Sequence, residues 1–279
     1  MLLGGVTALS LIFSAAVCWG SGAFCDLRWL YLLPACFAGG FLALALLAFL
    51  FLWLMCALVD TSKPREKDSA FFRRMLRLYI PAIVKVVRVR LHTEGLEKTP
   101  KEGRFLLVCN HLSNADPVVL LHCFRDSQLA FISKRENATM FLVGKAMHML
   151  LCQLVNREND REALKTIINC IQLIREDKAS VAVFPEGYIH EDKKLHHFRH
   201  GVFKIATKTN VPIVVCTLRN TPRIFVNMPK LRPTDVELHL LDVIRPEQYA
   251  GMTTVELGET IYRMMADDLG PELVSREEE

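Results

Sequence analysis

The sequence predicts an α/β fold: a mixed, largely parallel sheet flanked by helices and preceded by an N-terminal membrane helical hairpin. Three observations predict it. No charged side chain occurs from Met1 to Phe24 or from Trp29 to Val59, so two stretches each reach the ~20 residues that cross a bilayer. Further on, short apolar or β-branched runs alternate with longer helical patterns, as strands do with the helices that connect them. Finally, 51% of the 279 residues are apolar, above the ~45–50% of a soluble domain, and the excess is gathered at the N-terminus.

The hairpin occupies residues 1–62. A cleaved signal peptide would need a basic start, which Met1-Leu2-Leu3-Gly4 lacks. The connection carries only Asp26 and Arg28, while Pro34 and Gly39-Gly40 allow a kink in the second stretch. Such a hairpin either spans the bilayer or dips into one leaflet, and both leave its backbone bonded internally. A basic connector follows over 63–92, with Lys63, Arg65, Lys67, Arg73, Arg74, Arg77, Lys85, Arg88 and Arg90 against Glu66 and Asp68. Positive charge beside a membrane helix favours the cytoplasmic side, so the remaining domain, 93–279, is expected in the cytoplasm. Phe71, Phe72, Met75, Leu76, Leu78, Tyr79 and Ile80 interleave with those cations. They suit either a helix lying on anionic headgroups or one packed on the domain.

Strands are expected over 84–91, 105–109, 129–133, 181–184, 212–218 and 238–244. Helices are expected over 117–124, 140–150, 161–175, 200–209 and 253–269, and the charged end, Arg276 to Glu279, reads as a frayed tail. The nine cysteines show no Cys-x-x-Cys spacing and fit a reducing compartment. The net charge of +4 is explained by the basic connector, which leaves no reason to expect a nucleic-acid partner. Neither a metal nor a cofactor is expected, because His122, His148, His190, His196, His197 and His200 have no ligand spacing.

Ligands of such sheets bind beyond the carboxyl ends of the strands. Three strands end there in polar or turn-forming residues: Asn110-His111, Lys134-Arg135-Glu136 and Pro185-Glu186-Gly187. His111 leaves a buried strand, and Asp116 follows five residues later at the start of the next helix. The carboxylate can fix the imidazole tautomer while the other ring nitrogen takes a proton from a hydroxyl. A His–Asp pair can also simply tie down a loop. Ser113 between them reads as a turn or cap residue.

The segment Asn110-His111-Leu112-Ser113-Asn114-Ala115-Asp116-Pro117 resembles the Asn-His-x-Ser-x-x-Asp motif of the 1-acylglycerol-3-phosphate acyltransferase family, whose members acylate glycerolipids. The resemblance continues in order through Ile132-Ser133-Lys134-Arg135-Glu136, Val183-Phe184-Pro185-Glu186-Gly187 and Val211-Pro212-Ile213-Val214, with Phe198-Arg199-His200-Gly201 between the last two. It implies a membrane enzyme of phospholipid biosynthesis that transfers a fatty acyl group from acyl-CoA or acyl carrier protein to the free hydroxyl of lysophosphatidic acid, giving phosphatidic acid. His111 and Asp116 would be catalytic. Lys134, Arg135, Glu186, Gly187 and Arg199 would form the substrate site.

One departure bears on the acceptor. Many relatives continue Glu-Gly with Thr-Arg, whereas this chain has Tyr188-Ile189, so the cation for an acceptor phosphate must come from elsewhere, Arg199 or His190 being nearest in sequence. Acylation of another lysolipid, or a catalytically silent protein that binds lipid or a partner, are the competing readings. A silent protein has no need of both His111 and Asp116.

Overall fold

The computed structural model describes residues 1–156 and 159–275, which leaves the expected tail from Arg276 to Glu279 outside the described residues. It divides into two compact units, Met1–Lys63 and Pro64–Glu279.

The first unit is a pair of packed helices, α1 (Leu2–Gly20) and α2 (Trp29–Ala57). Both are long and apolar enough to cross a membrane. They meet through small residues: Ser10, Ser14 and Cys18 are buried, and a Cβ at Gly40 would approach the Phe13 ring to 3.2 Å. Ser10 and Ser14 return their hydroxyl protons to backbone carbonyls of the preceding turn. Other large side chains, among them Leu46, Phe49, Leu50 and Trp53, point outward and stay exposed. An outward apolar surface on two such helices is the pattern a bilayer covers.

The second unit contains helices α3 (Ala70–Val86), α4 (Asp116–Cys123), α5 (Phe141–Met149), α6 (Asp160–Arg175), α7 (Lys204–Thr209), α8 (Arg223–Asn227), α9 (Pro246–Tyr249) and α10 (Thr254–Leu269). Its strands are β1 (Val89–Glu94), β2 (Leu106–Cys109), β3 (Leu129–Lys134), β4 (Gln153–Val155), β5 (Ser180–Val183), β6 (Ile213–Arg219) and β7 (Thr234–Ile244). They form one sheet in the order β1-β7-β6-β2-β5-β3-β4. From β6 to β4 every neighbouring pair is parallel, β7 runs antiparallel to β6, and β1 is parallel to β7. The sheet is thus mixed and largely parallel, as expected.

Both faces are covered, which is why the central strands are continuous apolar runs. Leu106, Val108, Val181, Val183, Ile213 and Val215 pack against residues of α6, α7 and α10. Their alternates Leu107, Cys109, Ala182, Val214 and Cys216 pack against Val119 and Leu120 of α4 and Ile224 of α8. Polar signals set the helix starts: Asn159 accepts from the amides of Arg161 and Glu162, and Thr253 with Glu256 closes a capping box.

Several boundaries differ from expectation. The strand expected at 84–91 is split: residues up to Val86 stay in α3, and β1 starts at Val89. Phe72, Met75, Tyr79 and Ile80 give α3 a buried face, and this packing outweighs the β-branched run Ile83-Val84. Arg88, at φ 57°, makes the turn between them. The β7 strand begins four residues earlier than expected because β1 pairs with Thr234–His239. The edge strand β4 is only three residues long, too short for a periodic signal.

Candidate active site

The β2 strand ends at Cys109, and the next side chain continues its pairing. Asn110 is fully buried; its Nδ2 donates to the Leu218 carbonyl at 3.0 Å and its Oδ1 accepts from the Leu218 amide at 2.7 Å. The side-chain amide thereby copies a backbone rung to β6 and fixes the point at which the chain turns out of the sheet.

Residues 111–116 form a loop wrapped around the Asp116 carboxylate, which is itself fully buried at the start of α4. Oδ2 accepts from the amides of Leu112 and Ser113 at 2.7 and 2.8 Å and from His111 Nδ1 at 2.8 Å. Oδ1 accepts from the hydroxyls of Ser113, at 3.2 Å, and Thr221. Five donors therefore converge on one acceptor-only group. Ser113 Oγ also accepts from the Ala115 amide, so it belongs to the turn. An Asp116 oxygen facing Nδ1 puts the imidazole proton there and leaves the Nε2 lone pair available. The ring is stacked on Phe184 with centroids 4.0 Å apart and planes 13° apart, and its side chain keeps 14% of its surface exposed. The result is an oriented imidazole at a partly open rim, able to receive a proton at Nε2.

Glu186 follows β5, the strand adjacent to β2. Its oxygens accept from the amides of His111, at 2.7 Å, and His196, at 3.1 Å. It therefore ties the loop after β2 to the segment at 196. The residue is 1% exposed, and burial pushes its carboxyl up to about 8, opposed by these same two amides. In the unfolded chain the group titrates near 4.5, so between those values the fold holds an extra proton. That contribution to stability is complete below about pH 4.5 and is lost as pH rises through about 8. Thermal unfolding of the parent between pH 5 and 8 should therefore show a decline that Glu186→Gln lacks. The variant should also be less stable by about 1–3 kcal/mol, since its amide turns a donor toward a backbone N–H. Parallel pH profiles for the two proteins would refute the assignment.

The other expected residues are distributed unevenly. Gly187 has φ 86°, and any Cβ there would lie 2.9 Å from Cδ and Nε of Arg199. Arg199 thus lies across the Glu186–Gly187 turn, with its own amide donating to the Pro185 carbonyl at 2.8 Å. Lys134 ends β3 and is exposed. It is two strands from β2, about 10 Å across the sheet. Arg135 is paired with Glu162 at 3.1 Å in an exposed ion pair. His190 stacks on His196 with centroids 3.4 Å apart, and His196 Nε2 lies 2.9 Å from Asp192. Among the described residues no cluster of three or more His, Cys, Asp or Glu is placed to hold a metal ion.

Thr221 is the contributor that the sequence reading does not single out, and Phe184, quoted there only within a motif, supplies the surface on which His111 stacks. Thr221 is 105 positions from Asp116, and its only local signal is its place in a turn just past β6, at the same rim. Beside the loop, a cavity of about 260 Å³ is lined by Asn110, Leu112, Lys193, Arg219 and Arg223 among others.

Comparison with known proteins bears on the fold and on the family it resembles. Residues 90–219 match the family model described as Acyltransferase, a span that holds every expected site residue and stops just short of Thr221. A 1-acyl-sn-glycerol-3-phosphate acyltransferase of Borreliella burgdorferi is 26% identical over 179 residues, 63% of this chain and 71% of that protein. A probable 1-acyl-sn-glycerol-3-phosphate acyltransferase of Mycoplasma pneumoniae is 29% identical over 170 residues, 60% of this chain and 62% of that one. The chain thus spans about two thirds of the length of these relatives. The crystal structure of the 1-acyl-sn-glycerophosphate (LPA) acyltransferase PlsC from Thermotoga maritima shares the fold with a TM-score of 0.57 at 21% identity, covering 78% of this chain and 86% of that one. The sheet and the family match agree that residues 90–219 are similar to the acyltransferase family.

Proposed function

We propose that this chain transfers a fatty acyl group from a thioester, acyl-CoA or acyl carrier protein, to the free hydroxyl of 1-acylglycerol-3-phosphate, giving phosphatidic acid in phospholipid biosynthesis. The observation that carries the reading is the His111–Asp116 pair at the sheet's carboxyl rim, 2.8 Å apart, with Nε2 turned to no protein partner among the described residues. The names of the relatives support the acceptor. In the proposed step the acceptor hydroxyl attacks the thioester carbonyl while its proton moves to His111 Nε2. The tetrahedral adduct collapses with loss of the thiolate, which takes that proton, and atoms and charge balance without a covalent enzyme intermediate. Asp116 orients the ring and offsets its transient positive charge. Glu186 and Gly187 hold the loop that positions it. The catalytic unit faces the cytoplasm in this reading, supported by the cations that follow α2.

Arg199 is the phosphate ligand best supported, since it lies over the Gly187 turn beside His111's anchor and replaces the arginine lost where Tyr188-Ile189 stands. Lys134 is the second, reaching in from β3, whereas the Glu162 partner of Arg135 competes for that guanidinium. Purified full-length protein in mixed micelles, given radiolabelled acyl-CoA or acyl carrier protein and a panel of lysolipids with and without phosphate, tests the reading. Phosphatidic acid is the expected product, and absence of product from every acceptor would overturn it. In Arg199→Ala the KM for the phosphorylated acceptor should rise by roughly 10-fold or more, a charged hydrogen bond's contribution, with little change for monoacylglycerol. An equal loss on both acceptors would remove the phosphate contact.

A further inference from the structure

The turn that carries Thr221 out of the rim has a surface that the catalytic reading does not use. Thr221 and Ile224 are buried and anchor it. Beyond them Phe225, Val226, Met228 and Leu231 are 51, 57, 42 and 71% exposed, four large apolar side chains within seven positions. The segment is not loose. Asn227 Nδ2 donates to the Pro233 carbonyl and to Thr234 Oγ1, the Arg232 amide donates to the Asn227 carbonyl, and Arg88 donates to the Leu231 carbonyl at 2.7 Å. Polar bonds hold the turn closed, so its apolar side chains are presented outward instead of packing inward.

Water penalises such a surface by about 25 cal/mol per Å², and clustered exposure of this kind marks a contact site. The charge around it selects the occupant. From Arg223 to Thr234 there are three cations, Arg223, Lys230 and Arg232, and no acidic residue, while Arg219 just before them is engaged by Glu237 and Asp268. Lysine is depleted from the cores of protein interfaces, whereas an apolar tip ringed by Lys and Arg suits anionic headgroups over acyl chains. We propose that residues 223–232 form an interfacial docking element of the α/β unit, separate from the hairpin. Phe225, Val226, Met228 and Leu231 enter the headgroup–acyl boundary, and Arg223, Lys230 and Arg232 meet anionic lipid. The inference rests on this surface chemistry and holds whether or not the acyl acceptor is the one proposed.

The three tryptophans, Trp19, Trp29 and Trp53, all lie in the first unit, so a single reporter can be isolated. Full-length protein carrying Trp19→Phe, Trp29→Phe, Trp53→Phe and Phe225→Trp would be reconstituted in phosphatidylcholine vesicles with or without phosphatidylglycerol. Phospholipids with a spin label at shallow or deep acyl positions would supply the quencher. The expected result is blue-shifted emission, quenched more by the shallow label, in the anionic vesicles. Removal of the cations as Arg223→Ser, Lys230→Ser and Arg232→Ser should lower the docked population by up to about fivefold per cation. Val226→Trp, also at an exposed position, serves if the first reporter fails to fold. Emission of a water-exposed indole from both reporters in correctly inserted protein would overturn the proposal. So would a blue shift that grows with protein concentration in detergent and is insensitive to quencher lipid, which would mean that a second copy covers the patch.

Discussion

His111→Ala is expected to reduce kcat by at least ~10²–10⁴, the contribution of a positioned general base, while folding and membrane association persist. The two readouts separate because of how the loop is built. Without the imidazole, the Asp116 carboxylate still accepts from the Leu112 and Ser113 amides and from the Ser113 and Thr221 hydroxyls, so the turn stays satisfied. The loss is confined to one hydrogen bond and the contact with Phe184, about 1–2 kcal/mol in stability. Initial rates with labelled donor, alongside thermal unfolding of the same preparation, check both halves. Turnover within a few-fold of the parent would remove the proton-transfer step and with it the proposed mechanism.

Asp116 should divide in the opposite way according to the replacement. In Asp116→Asn the amide oxygen can take the place of Oδ2 and keep the His111, Leu112 and Ser113 bonds. The NH₂ then donates to the hydroxyls of Ser113 and Thr221, which rotate to accept. The loop survives, but the negative charge that offsets a protonated imidazole is gone, and kcat should fall by ~10²–10⁴. Asp116→Ala instead strands two backbone amides and two hydroxyls around an empty acceptor position, at a cost of about 1–3 kcal/mol for each group that finds no other partner. This variant should be markedly destabilised as well as inactive. Equal stability of the Asn and Ala variants would show that the carboxylate does not organise the loop.

The helical pair, the α/β alternation and the His111–Asp116 contact were legible in the sequence because each is a short-range signal. An uncharged stretch, a period of apolar residues or a histidine five positions before an aspartate at a strand-to-helix turn can be read without knowing what lies elsewhere. Expectation failed where two segments compete for the same residues. Val84 to Val86 went to α3, whose buried face outweighed their β-branched side chains, and β4 owes its ladder to β3 alone. The cations behaved likewise. Arg135 and Arg199 look equivalent in sequence, yet one lies against an acidic residue of α6 and the other across Gly187.

By itself, the sequence determined the class of fold, the two long apolar helices of the first sixty residues and the choice of His111 and Asp116 as a pair. Tertiary structure alone decided that Glu186 lies buried as a fastener between two loops and that Thr221 completes the ring of donors around Asp116. It also left an apolar, cationic tip outside the rim. The physical reason is range: Glu186 lies 75 positions from His111, and Thr221 lies 105 from Asp116. They meet them only because the order β6-β2-β5 brings three strand ends to one edge, and local residue patterns carry no record of which strands become neighbours.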